Sequence, residues 1–147
     1  MDRRKFLGLS AVAMLSFGLL PAVKPSFGAT KLEEEVKKRL GVDLSQVKEV
    51  QDIKLTVPTI AESGANVPIT VESTIPVDKV ERLYIFVDKN PVPWIADVSF
   101  SPMNGQVFFS TRIKMGETSN VRAILKLKDG SYVMATKEVK VTAGGCG

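Results

Sequence analysis

The residue best equipped for chemistry is Cys146, the sole cysteine of 147 residues, in a tail that reads Val141-Thr142-Ala143-Gly144-Gly145-Cys146-Gly147. Its thiolate form is a nucleophile toward sulfur and carbon and a ligand for soft metals. One cysteine allows no internal disulfide and supplies no resolving partner for thiol redox cycling. Cysteine usually hides in a core, but glycine neighbours give this tail no apolar surface with which to dock. Two readings follow. In one, an envelope β-sandwich with a binding or structural task ends in a thiol that only forms an intermolecular disulfide. In the other, residues 143–147 are a swinging arm: Gly144, Gly145 and Gly147 keep it slim, and Cys146 holds a cargo through sulfur. At about 3.5 Å per extended residue such an arm spans at most about 14 Å. A free thiol is a liability in an oxidising compartment, which favours the arm.

Other chemistry is poorly supplied. The chain has no histidine, so a nucleophile lacks its commonest general base, and the usual ligand sets for zinc or an iron–sulfur cluster are missing. Asp88, Asp97 and Glu117 read as solvated surface charge rather than an acid–base pair. No glycine-rich phosphate loop follows a strand. The expectation is a protein with no catalytic residue, no cofactor and no metal of its own. Lipidation of Cys146 fails on position, since prenylation needs three residues after the cysteine and lipoprotein acylation needs it at the signal cleavage site.

The elements that must position this tail read as mostly β. Thr30 and Glu33 have capping-box spacing, Leu32, Val36 and Leu40 recur every fourth residue, and Gly41 suits a left-handed stop, which predicts a short helix over 30–40. So short a helix needs something to lie against, either its own domain or a partner. From residue 53 onward, short β-branched and aromatic runs alternate with Pro, Gly, Asn and Asp. Seven strands are predicted, near 53–57, 67–72, 82–88, 94–101, 106–113, 119–128 and 132–142. Val121, Ala123, Leu125 and Leu127 share one face, and beyond an Asp129-Gly130 turn Val133, Ala135, Val139 and Val141 continue a face that Lys137 interrupts, as near an edge. Seven such strands after a helix fit an all-β fold, an immunoglobulin-like two-sheet β-sandwich spanning 29–142.

The start, Met1-Asp2-Arg3-Arg4-Lys5-Phe6-Leu7-Gly8, precedes an apolar run over 7–20. This is the form of a signal peptide, too short to span a bilayer, and no stop-transfer segment follows. No membrane anchor is expected. Arg3 and Arg4 resemble a twin-arginine signal, whose route carries folded proteins, so the expected location is the periplasm. Ser26 and Gly28 suit a cut before Ala29 or one residue later, and residues 1–28 stand outside the fold. Removing four basic residues (Arg3, Arg4, Lys5, Lys24) and one acidic (Asp2) leaves 16 basic against 15 acidic, a net +1. Without a basic stripe, nucleic acid is not an expected partner.

The glycine–cysteine tail, the paired arginines, Asp88-Lys89-Asn90-Pro91, Ser110-Thr111-Arg112-Ile113-Lys114-Met115-Gly116-Glu117-Thr118-Ser119-Asn120 and Lys137-Glu138-Val139-Lys140-Val141-Thr142 together resemble SoxY, the sulfur-carrier subunit of the periplasmic thiosulfate-oxidising system. That family's tail is Gly-Gly-Cys-Gly-Gly, one glycine longer than here. The resemblance implies a heterodimer with a SoxZ-like β-sandwich subunit and a Cys146 thiol loaded with thiosulfate by a c-type cytochrome. It further implies a hydrolase that releases sulfate and, in some systems, a sulfane dehydrogenase. Haem and manganese would belong to those partner enzymes.

Overall fold

The computed structural model describes residues 30–144. They form nine strands in two sheets and one α-helix, an immunoglobulin-like sandwich. The helix α1, Lys31–Leu40, begins where local chemistry dictates. The Glu33 amide donates to Thr30 Oγ1 (3.3 Å), and the Thr30 amide donates to Glu33 Oε2 (3.1 Å). It ends at Gly41, whose φ of 77° a side chain would disfavour and whose amide reaches the Lys37 carbonyl.

The strands are β1 Lys48–Glu49, β2 Ile53–Thr56, β3 Ile60–Ala61, β4 Val67–Ser73, β5 Val80–Val87, β6 Trp94–Ser99, β7 Val107–Ile113, β8 Ser119–Leu127 and β9 Tyr132–Val141. The larger sheet runs β1-β9-β8-β5-β6, with β3 also on β9, and the smaller runs β2-β4-β7. All seven predicted strands are present. The two additional ones are two residues long, too short for alternation to announce them. Both lie parallel to β9, β1 beside Val133 and Met134 and β3 beside Lys140 and Val141. Lys137, exposed, falls in the stretch of β9 between them. This is the local edge that its charge suggests.

Between the sheets, Leu55, Val67, Ile69 and Val71 pack with Leu83, Ile85, Val87, Val121, Ala123, Leu125 and Val139. A second core lies on the outer face of the larger sheet. There Leu32, Val36 and Leu40 of α1 cover Tyr84, Phe86, Ile124, Tyr132 and Met134. The helix therefore buries its apolar stripe on its own domain, and none of that stripe is left for a partner. This is also why β5 reads Leu83-Tyr84-Ile85-Phe86-Val87 without alternation: both of its faces are buried. The Tyr132 hydroxyl donates to the Leu40 carbonyl (2.9 Å), satisfying a helix-end acceptor, and the Arg39 guanidinium lies 3.7 Å from the Trp94 ring centroid. Burial raises the pKa of the Tyr84 hydroxyl above the ordinary phenol value, against the lowering influence of Arg82 and Lys126.

The hairpin that delivers β9 turns through Gly130, at φ 90°. The Ser131 hydroxyl and amide both donate to Asp129 Oδ1 (2.6 and 2.9 Å), and these bonds hold that carboxyl below its usual pKa.

Candidate functional site

Cys146, Gly145, Gly147, Arg3 and Arg4 lie outside the described residues, as does the 1–28 signal. Of the residues assigned to the arm, Gly144 is described, and its surroundings define the site. Leaving β9, the chain is held by hydrogen bonds at three consecutive residues. The Val141 amide donates to Thr118 Oγ1 at 2.9 Å. Thr142 donates its amide to the Ala61 carbonyl (3.1 Å) and its hydroxyl to the Glu62 carbonyl (3.0 Å). The Ala143 carbonyl accepts from the Gly64 amide at 2.7 Å. Gly144 follows with its α-carbon pressed toward Gly116. A Cβ built there would stand 2.4 Å from the Gly116 carbonyl oxygen, closer than van der Waals radii allow.

Three loops meet at this end of the sandwich. The β3–β4 loop supplies Gly64, whose carbonyl also accepts from the Met115 amide (2.7 Å). The β7–β8 loop supplies Gly116 and Thr118 and plugs Met115, fully buried, into the main core. The β5–β6 loop supplies Asn90, only 3% exposed. Its carboxamide donates to the Lys114 carbonyl (2.8 Å) and accepts from the Gly116 amide (3.0 Å). One buried side chain thus braces the turn that faces Gly144, with both its donor and its acceptor satisfied. The root of that loop is fixed in turn. The Arg122 guanidinium donates from Nε to Asp88 Oδ1 (2.7 Å) and from Nη2 to Oδ2 (2.9 Å), the planar two-point geometry that suits arginine and a carboxylate. The Lys89 amide reaches Ser119 Oγ at 3.0 Å.

The carboxylates considered for acid–base work are not brought together. Asp88 is bound to Arg122, Asp97 to Arg82, and Glu117 is exposed on the β7–β8 loop. Among the described residues no three of His, Cys, Asp and Glu gather as metal ligands, and no helix is long and apolar enough to cross a membrane. Sequence reasoning quoted Asn90, Gly116 and Thr118 within longer segments but gave them no role, and passed over Gly64. The available signal was an Asn-Pro pair directly after a strand, a turn marker that says nothing about burial.

A family model for sulfur oxidation protein SoxY matches residues 37–146, the last being the cysteine itself. The chain belongs to the SoxY family. Among solved structures, the sulfur carrier protein SoxY from Chlorobium limicola f thiosulfatophilum is 31% identical, with a TM-score of 0.66 over 78% of this chain and 99% of that one. A superoxide reductase (neelaredoxin) from Ignicoccus hospitalis is 15% identical, with a TM-score of 0.53 over 66% of this chain and 96% of that one. A putative superoxide reductase from Thermotoga maritima is 14% identical, with a TM-score of 0.54 over 68% and 98%. These last two share the fold alone. No curated protein matches the sequence. Two segments that carried the resemblance, 88–91 and 110–120, include the β5–β6 turn and the β7–β8 loop that lie against the end of β9.

Proposed function

We propose that the protein is a periplasmic carrier that holds sulfur-oxidation intermediates covalently on Cys146 and presents them to partner enzymes. The observation that carries this reading is a SoxY match that runs to the only cysteine in the chain, supported by the 31% identical sulfur carrier. In the loading step the Cys146 thiol and thiosulfate form a new S–S bond, giving a cysteine S-thiosulfonate. Two electrons pass, one at a time, to oxidised haem of the c-type cytochrome class, and the thiol proton goes to solvent. A hydrolase then adds water across the terminal S–S bond, releasing sulfate and leaving a persulfide on Cys146. A sulfane dehydrogenase is the class of enzyme that would oxidise the sulfur left behind.

The chain's own part is to carry rather than catalyse. A free cysteine with a pKa near ~8.5 is only a few per cent thiolate at neutral pH, so activation falls to the loading enzyme. The partner that completes the carrier is a SoxZ-like β-sandwich. With α1 turned inward on its own sheet, the sheet edges rather than the helix are the surface offered for that pairing. Arg3 and Arg4 direct export by the twin-arginine route, which moves folded proteins and so can carry the heterodimer on one signal.

Intact-mass measurement of the protein purified from its own host tests the reading. Additions of sulfur, sulfite or thiosulfate that map to Cys146 are expected. Free thiol or disulfide dimer alone, under conditions of active sulfur oxidation, would return the chain to the envelope-sandwich reading.

A further inference from the structure

Resting on that carrier reading, we propose that the β5–β6 and β7–β8 loops form a seat that sets where the cargo arm leaves the sandwich, with Asn90 as its positioning residue. The seat admits residue 144 only if it has no side chain. A run of glycines is ordinarily read as freedom. At Gly144 the requirement is instead close approach, because the Gly116 carbonyl occupies the space that a methyl group would need. That carbonyl is placed by the Asn90 carboxamide, which ties the Gly116 amide to the Lys114 carbonyl across the turn. Immediately upstream, the Ala143 carbonyl is held by the Gly64 amide. The covalent tether to the thiol is then counted from residue 144 rather than from 143.

The consequence is quantitative. From a fixed residue 144, two extended residues let Cys146 reach no more than about 7 Å from the seat, against about 10.5 Å for three residues counted from residue 143. The accessible volume scales with the cube of reach, so seating raises the local concentration of thiol at a docked enzyme by up to about threefold. Apart from Met115, which the β7–β8 loop plugs into the main core, the seat is held by hydrogen bonds between loops.

The test places a nitroxide label on Cys146 of the mature protein and compares its spectrum in wild type, Gly144→Ala, Asn90→Ala and Val107→Ala. Val107 is fully buried at the start of β7, the end opposite the β7–β8 loop, so its variant loses core packing without touching the seat. Gly144→Ala lies beyond the last strand and leaves folding intact. The label should narrow to a faster-tumbling spectrum in Gly144→Ala and Asn90→Ala and stay as in wild type in Val107→Ala. Loading of the unlabelled proteins by the cytochrome partner should show KM raised by up to about threefold in the two seat variants with kcat unchanged. Identical spectra in all four proteins, equal narrowing in Val107→Ala, or a loss confined to kcat would each overturn the seat. The label takes the place of any cargo on the Cys146 thiol and needs no partner enzyme, so failure of the seat and failure of the carrier reading are separable.

Discussion

Replacing Val36 with alanine tests the packing that turns α1 inward. Val36 is fully buried, beneath Leu32 and Leu40 of its own stripe and against the aromatic outer face of the larger sheet. The change removes two methyl groups, worth about 1.6 kcal/mol of transfer free energy at about 0.8 kcal/mol each, and leaves a cavity that adds about 1 kcal/mol more. Alanine is the better helix former by about 0.5 kcal/mol, so the net loss is about 2 kcal/mol. For a domain of this size that lowers Tm by about 8 °C. The assay is thermal unfolding of the mature chain followed by circular dichroism, with the exposed Lys37→Ala as a control expected to stay within about 0.5 kcal/mol. If α1 instead lay free until a partner covered it, Val36→Ala would leave the isolated chain unchanged or slightly more stable. A Tm shift below about 2 °C would therefore refute the second core.

Three further outcomes are expected. Cys146→Ser should abolish every sulfur adduct seen by mass spectrometry while leaving Tm within about 1 °C, since residue 146 lies beyond the end of β9; a larger fall would mean that the thiol is packed. Asp88→Ala strands the Arg122 guanidinium, 17% exposed against 19% for its partner carboxylate. It should cost about 2–3 kcal/mol in urea unfolding, somewhat under the roughly 3–5 kcal/mol for a fully buried pair that loses one member, and a loss under about 0.5 kcal/mol would show that the pair is solvated. Changing both Arg3 and Arg4 to lysine should leave this chain and its partner subunit together in the cytoplasmic fraction on immunoblots, whereas a partner still exported must have its own route.

What was legible in the sequence was what neighbouring residues decide among themselves. The capping box of Thr30 and Glu33, the left-handed stop at Gly41 and the Asp129-Gly130 hairpin are local chemistry, and each is in place. The seven main strands were readable because turn residues bound them and most alternate. Strands β1 and β3 were not, because two residues carry no period and their pairing is set by what β9 leaves open. The choice between domain and partner for α1 was open, since its stripe shows only that it needs a cover. The second apolar face of β5, Tyr84 and Phe86, was the clue to that cover. Asn90 was beyond reach for a different reason. Its role is defined by Lys114 and Gly116, 24 and 26 residues away in sequence, and no local pattern distinguishes a buried loop asparagine from a solvated one.

The division between core and loops bears on how such a carrier can change. The two cores hold the sheets and α1, and a substitution within them, such as Val36→Ala, lowers stability without altering the contacts at residues 141–144. Asn90, Gly64 and Gly116 have the opposite character. Gly64 and Gly116 meet the end of β9 through a backbone amide and a carbonyl, and Asn90 braces the Gly116 turn through its carboxamide; such bonds are worth only about 1 kcal/mol net each, so their loss would move the arm more than it would destabilise the fold. Asp88 joins the two regimes, because its bond to Arg122 anchors the Asn90 loop to the body of β8. An Asp88→Ala protein should therefore show both signatures at once, lower stability and a faster-tumbling label on Cys146, whereas Val36→Ala shows only the first and Gly144→Ala only the second. Stability and arm position can then vary independently in this fold, which lets the loops be matched to a partner's channel while the sandwich stays the same.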